Sequence, residues 1–269
     1  MKRHCIPKVV RPSPLRHAVA GAAAVAAFGV VFGYAAGAQQ TQRPEAVWTP
    51  AAGAPAGTLS HALEGQRHDF FIELAQKGDI DVVFFGRTTT EMWWWPARGK
   101  SVWDRELGSL KAANFGSQGT HPDSLVWRMQ NGELDGYQAK LVVLSEVGTL
   151  GEPMPPSSRF PDWPAGYAAV IAEIRARQPQ AKILLLAPFP RGVQTIQEWR
   201  ELAAANAAAV AGLVDDETVF YADIGERFYR PDGSYNGEIW GGSAGVGAQP
   251  VLFEVWAEEL QPWLDRFVR

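Results

Sequence analysis

The chain has 269 residues, of which 46% are hydrophobic and 20% charged, with a formal net charge of −4. Those proportions are ordinary for a globular protein and exclude a collagen-like or largely disordered chain. The acidic balance, with no basic cluster beyond the first 38 residues, argues against nucleic acid, whose binding rests on neutralising phosphates with Lys and Arg.

In those first 38 residues, Lys2, Arg3, Lys8, Arg11 and Arg16 precede an apolar run over 18–36. The run closes on Ala36-Gly37-Ala38, the small-x-small pattern of a signal-peptidase site. It is also long enough to span a bilayer, which takes about 20 apolar residues. Residues 1–38 are therefore expected to be a signal peptide or an N-terminal anchor, making the protein secreted or periplasmic. Cys5 precedes the apolar run, so no cysteine is left downstream for a disulfide or a thiolate metal site. Residues 39–58, rich in Gln, Ala, Pro and Gly, read as a linker, and 59–269 as one domain.

Within that domain strand-like and helix-like stretches alternate, the pattern of a mostly parallel sheet covered by helices. A helix is expected over 61–76, carrying Leu63, Phe70, Phe71 and Leu74 and stopping at Gly78. Continuous β-favouring runs over 82–85, 112–115, 141–144, 183–186 and 219–221 predict five strands. Helices are expected over about 165–178, 195–213 and 251–267, each with an apolar stripe at helical spacing, and Pro262 is expected to bend the last one. The fold class is α/β, a three-layer α/β/α arrangement around a mostly parallel five-stranded sheet, flavodoxin-like. Open sheets of this kind bind ligands at the carboxyl ends of their strands, which directs attention to the segments after residues 85, 115, 144 and 186.

Several of those segments resemble the SGNH (GDSL-type) hydrolases, in the branch similar to platelet-activating-factor acetylhydrolase subunits. They are DVVFFG (81–86), GKSVWD (99–104), AANFG (112–116), VWRMQNGELDG (126–136), AKILLLAPFPRG (181–192), VFYADIGERF (219–228) and FEVWAEEL (253–260), in the order and near the spacing of that family. The resemblance implies acyl transfer through a serine nucleophile, a histidine base oriented by an aspartate, and an oxyanion held by backbone N–H groups and an asparagine. It also implies pairing as a homodimer.

The positions that should carry this chemistry differ. Where the family has Gly-Asp-Ser, this chain reads Gly86-Arg87-Thr88, which puts Thr88 at the nucleophile position. Gly116 matches the oxyanion glycine, but no asparagine follows the third strand, where the chain reads Ser145-Glu146-Val147-Gly148. The stretch 241–250 before the last helix holds neither the Asp nor the His, and no histidine follows His121. A threonine hydroxyl without a base is a poor nucleophile at neutral pH.

The remaining candidates each have a structural and a functional reading. Thr88 with Glu91 fits a helix capping box as well as a nucleophile. Arg87 and Glu146 are expected to pair across the mouth. His121 and Asp123 lie on the same rim, where His121 could serve Thr88 as a base or simply precede a helix at Pro122. Of Trp93, Trp94 and Trp95, at least one should be exposed, suited to a sugar ring or acyl chain. No metal-ligand spacing and no cofactor motif is present, so metal and cofactor are both expected to be none. The expectation is a pseudoenzyme that binds a glycan, an acyl group or a partner protein. The alternative is an active carboxylic-ester or acetyl-ester hydrolase with displaced catalytic groups.

Overall fold

The computed structural model describes residues 59–147, 154, 158–240 and 248–269. The expected leader (1–38) and linker (39–58) lie outside the described residues. Five strands, β1 (Val82–Gly86), β2 (Ala112–Gly116), β3 (Leu141–Ser145), β4 (Lys182–Leu186) and β5 (Val219–Ala222), form one sheet in the order β2-β1-β3-β4-β5. All four pairings are parallel. The helices are α1 (Leu59–Gln76), α2 (Thr88–Glu91), α3 (Lys100–Glu106), α4 (Pro122–Arg128), α5 (Trp163–Arg177), α6 (Ile196–Val210), α7 (Gly237–Trp240) and α8 (Pro250–Phe267). None of the helices among the described residues is long and apolar enough to cross a membrane.

The strand runs are uninterrupted because the central strands are buried on both faces, so neither side calls for polar residues. On one face Val82, Phe84, Leu141, Val143 and Leu184 pack with Leu252, Phe253, Trp256 and Leu260 of α8 and with Trp103 of α3. On the other, Val83, Phe85, Val142, Leu144 and Ile183 pack with Phe71 of α1, Leu125 of α4 and Val170 of α5. Pro262 sits inside α8, which continues through it to Phe267. α5 and α6 begin at side-chain caps: Asp162 accepts from the Ala165 N–H, and Thr195 exchanges bonds with Glu198.

A buried ion network ties α1, α4 and the end of β2 together. Glu133 is fully buried. Its Oε1 accepts from Arg128 Nε at 2.8 Å and lies 2.8 Å from His68 Nδ1. Arg128 also donates through Nη2 to the Phe115 carbonyl at 2.6 Å and through Nη1 to Thr120 Oγ1 at 3.1 Å. The guanidinium thus neutralises a carboxylate and braces the chain as it leaves β2. Arg128→Met should strand the Glu133 charge and lower stability by about 3–5 kcal/mol, read from the urea midpoint. A loss below about 1 kcal/mol would mean that the network is solvated and structurally idle.

Candidate functional site

The register sets Gly86, Gly116, Ser145 and Leu186 side by side at the carboxyl ends of β1 to β4. The segments leaving these strands carry Arg87 and Thr88, then His121 and Asp123, then Glu146, then Arg191. With β2 on one side of β1 and β3 on the other, the strand order reverses here, the place where such sheets take ligands.

Backbone crowding shapes this end. A Cβ on Gly86 would fall 2.1 Å from Thr90 Oγ1 and 2.2 Å from the Ser145 carbonyl oxygen, and one on Gly116 would fall 2.4 Å from the Glu91 nitrogen. α2 therefore lies directly on the strand ends, and only glycine fits beneath it. Asn114 locks the contact by donating to the Thr90 carbonyl and accepting from the Gly116 N–H, both at 2.8 Å. The Gly116 amide, expected to face an oxyanion, is instead bonded to the Asn114 side chain.

The helix start also differs from the capping-box expectation. Arg87, not Thr88, holds the N-cap position, without a side-chain cap. Glu91 turns elsewhere: it receives both terminal Arg67 guanidinium nitrogens at 2.7 Å, the Gln118 N–H at 2.8 Å and the Trp95 Nε1–H at 3.3 Å. A charged bidentate pair outweighs a reach back to one backbone amide. Thr88 is half-buried, whereas the neighbouring hydroxyls of Thr89, Thr90 and Ser145 are essentially inaccessible. Among these hydroxyls only Thr88 can meet a ligand.

The three tryptophans diverge. Trp93 is fully buried among Phe84, Trp103, Phe253 and Trp256, a core residue rather than the expected ligand surface. Trp94 is half-buried with its edge on Phe70, and Trp95 is 38% exposed. Phe70, 45% exposed, continues the aromatic surface of Trp94 and Trp95 onto α1.

His121 caps the chain entering α4, where the Ser124 hydroxyl accepts from its backbone N–H. Its Nδ1 lies 3.6 Å from Asp123. Asp123 is engaged with the 158–160 segment, accepting from Ser158 Oγ at 2.5 Å and the Arg159 N–H at 3.0 Å. Burial, foremost, holds the His121 pKa below the ordinary imidazole value; Asp123 opposes this, and the Arg87 charge adds to the lowering.

Glu146 is buried and adopts φ +50°, a left-handed conformation rare for a non-glycine residue. Glu146 Oε1 also faces Arg191 Nη2 at 3.7 Å, because the chain leaving β4 brings Arg191 across the mouth. Sequence reasoning missed Arg67, Arg128 and Arg191; only the last two fell within segments carrying the resemblance. An open cleft of about 480 Å³ lies apart from these residues, lined by Ile196, Arg200, Glu226, Tyr229, Arg230 and Asp232 among others. Its Arg200–Glu226 pair is already closed at 2.7 Å. Among the described residues no cluster of His, Cys, Asp and Glu could hold a metal ion.

The model of the GDSL-like lipase/acylhydrolase family matches residues 84–242. Platelet-activating factor acetylhydrolase IB subunit alpha2 of Rattus norvegicus is 28% identical over 168 residues, covering 62% of this chain and 69% of the relative. Subunit alpha1 of Bos taurus is 26% identical over 167 residues, covering 62% and 68%. The fold is also that of a GDSL-like lipase from Bacteroides thetaiotaomicron, at a TM-score of 0.52 and 15% identity, with 76% of this chain and 98% of that one covered.

The influence of the Arg87 charge on His121 has a measurable sign. Following the ring protons by NMR against pH, Arg87→Gln should raise the His121 pKa towards its ordinary value. No change would remove Arg87 from the mouth. Because folding favours the neutral ring, the His121 contribution to stability is intact above the unfolded imidazole pKa and declines as pH falls below it.

Proposed function

This chain belongs to the GDSL-like lipase/acylhydrolase family, and from that premise we propose that it is a secreted, non-catalytic member that binds a glycan, an acyl group or a partner protein through its strand-end mouth. The observation that carries the reading is the state of Thr88, the accessible hydroxyl among Thr88, Thr89, Thr90 and Ser145. Thr88 stands between Arg87 and Thr89, and no histidine follows His121, so the position before the last helix offers no imidazole to accept its proton. An unassisted hydroxyl is far from ionised at neutral pH, and removing the base of a triad leaves only what binding and the oxyanion hole supply. The bond from the Gly116 amide to Asn114 weighs in the same direction, since an oxyanion donor must be available where charge develops. The half-buried Trp94 and exposed Trp95 and Phe70 supply aromatic faces for a sugar ring or an acyl chain.

A second reading keeps hydrolysis of a carboxylic or acetyl ester, with Thr88 attacking and His121 taking its proton. It draws on His121 alone: with its pKa lowered, the ring is neutral at pH 7 and able to accept a proton, though as a weaker base.

Hydrolysis of p-nitrophenyl acetate by the full chain, beside Thr88→Ala and His121→Ala, separates the two. The binding reading expects the same slow rate from all three. Turnover that falls by about a hundredfold or more in either variant establishes the second reading.

A further inference from the structure

The β2 side of the mouth carries an array assembled around one carboxylate. Glu91 ends α2, and each of its oxygens accepts twice. Oε1 takes Arg67 Nη2 at 2.7 Å and the Trp95 Nε1–H at 3.3 Å; Oε2 takes Arg67 Nη1 at 2.7 Å and the Gln118 N–H at 2.8 Å. The carboxylate is nearly buried, whereas the Arg67 side chain is 28% exposed and Trp95 38%. The bond to Glu91 holds the Trp95 indole in one orientation, and Pro96 stiffens the exposed chain that follows it. Phe70, 45% exposed, stands one turn after Arg67 on α1 and meets the edge of Trp94 with ring centres 5.7 Å apart. Rings and ion pair thus form one continuous rim, outside the positions that carry the family chemistry.

We infer that this rim is a stacking platform for a neutral glycan, with Trp95 and Phe70 against the faces of its rings and Arg67 donating to its hydroxyls. A pyranose with equatorial substituents turns C–H bonds to its faces and hydroxyls to its edges, so it asks for aromatic surface beside polar donors. Arg67 supplies the donors: pairing through Nη1 and Nη2 leaves its Nε–H and outer Nη hydrogens directed away from Glu91. An acyl chain fits less well, because it would cover the ion pair with hydrocarbon and strip its hydration without replacing a hydrogen bond. An anionic ligand also fits less well, because the Arg67 charge is already met by Glu91 and the carboxylate would lie beside the incoming anion. Fixing the indole in advance lowers the entropy lost on binding.

The inference rests on the mouth being a binding site and selects one ligand class for it. Calorimetric titration of the full chain with cellohexaose, xylohexaose, hexa-N-acetylchitohexaose and the anionic hexagalacturonate tests it, beside sedimentation with phosphatidylcholine vesicles as the acyl probe. At least one neutral chain should bind, tighter than hexagalacturonate by about tenfold, and its affinity should hold within about twofold as salt is raised from about 50 to 500 mM. Trp95→Ala should weaken it by about tenfold and Phe70→Ala by a few-fold. Both side chains are exposed, so the variants should keep the unfolding midpoint of the parent chain. Four results would each overturn the platform: no neutral chain bound at millimolar concentration, hexagalacturonate bound as tightly, binding unchanged in the folded Trp95→Ala variant, or vesicles bound through Trp95 in place of glycans. Thr88-dependent turnover of p-nitrophenyl acetate would instead defeat the non-catalytic reading beneath it.

Discussion

One short helix lies so close to the ends of two strands that neither Gly86 nor Gly116 has space for another carbon. That contact governs the mouth. It fixes Arg87 and Thr88 at its rim, buries Thr89 and Thr90, and draws the Gly116 amide into a bond with Asn114. A catalytic centre of this fold needs the same backbone to present free donors and an activated hydroxyl. Here the Gly116 amide is bonded to Asn114, and side chains arriving from other strands complete the surface.

Those side chains obey a common electrostatic rule. Glu91, Glu133 and Glu146 are all buried near the strand ends, where an unpaired carboxylate would be costly. Each is met by an arginine from elsewhere in the chain: Arg67 at 2.7 Å, Arg128 at 2.8 Å and Arg191 at 3.7 Å. The first two pairs are tight and structural, binding α1 and the β2 exit to the sheet. The third is the longest and the most exposed. The three pairs thus run from short and shielded to long and accessible.

The fold was legible because buried parallel strands leave a plain signature. Each of the five runs was expected within a residue or so of its observed limits, and the helices of the second half were visible by their stripes. Local pattern failed where tertiary partners decide. Thr88-x-x-Glu91 has the spacing of a capping box, yet the Glu91 carboxylate goes to Arg67, 24 residues upstream. The three tryptophans could not be sorted from sequence, since consecutive residues of a tight helical turn leave in different directions and only the core tells which one is buried. In the sequence Arg191 is only part of a strand-end segment. Its place opposite Glu146 comes from sheet order, which no spacing within the chain records.

Whether the mouth performs chemistry reduces to whether any hydroxyl there is activated. Intact-mass analysis after incubation with a fluorophosphonate, which forms a covalent adduct with activated hydroxyl nucleophiles, measures this without a choice of substrate. On the binding reading the chain should keep its unmodified mass. A stoichiometric adduct mapped to the Thr88 peptide would contradict that and restore the mouth to catalysis.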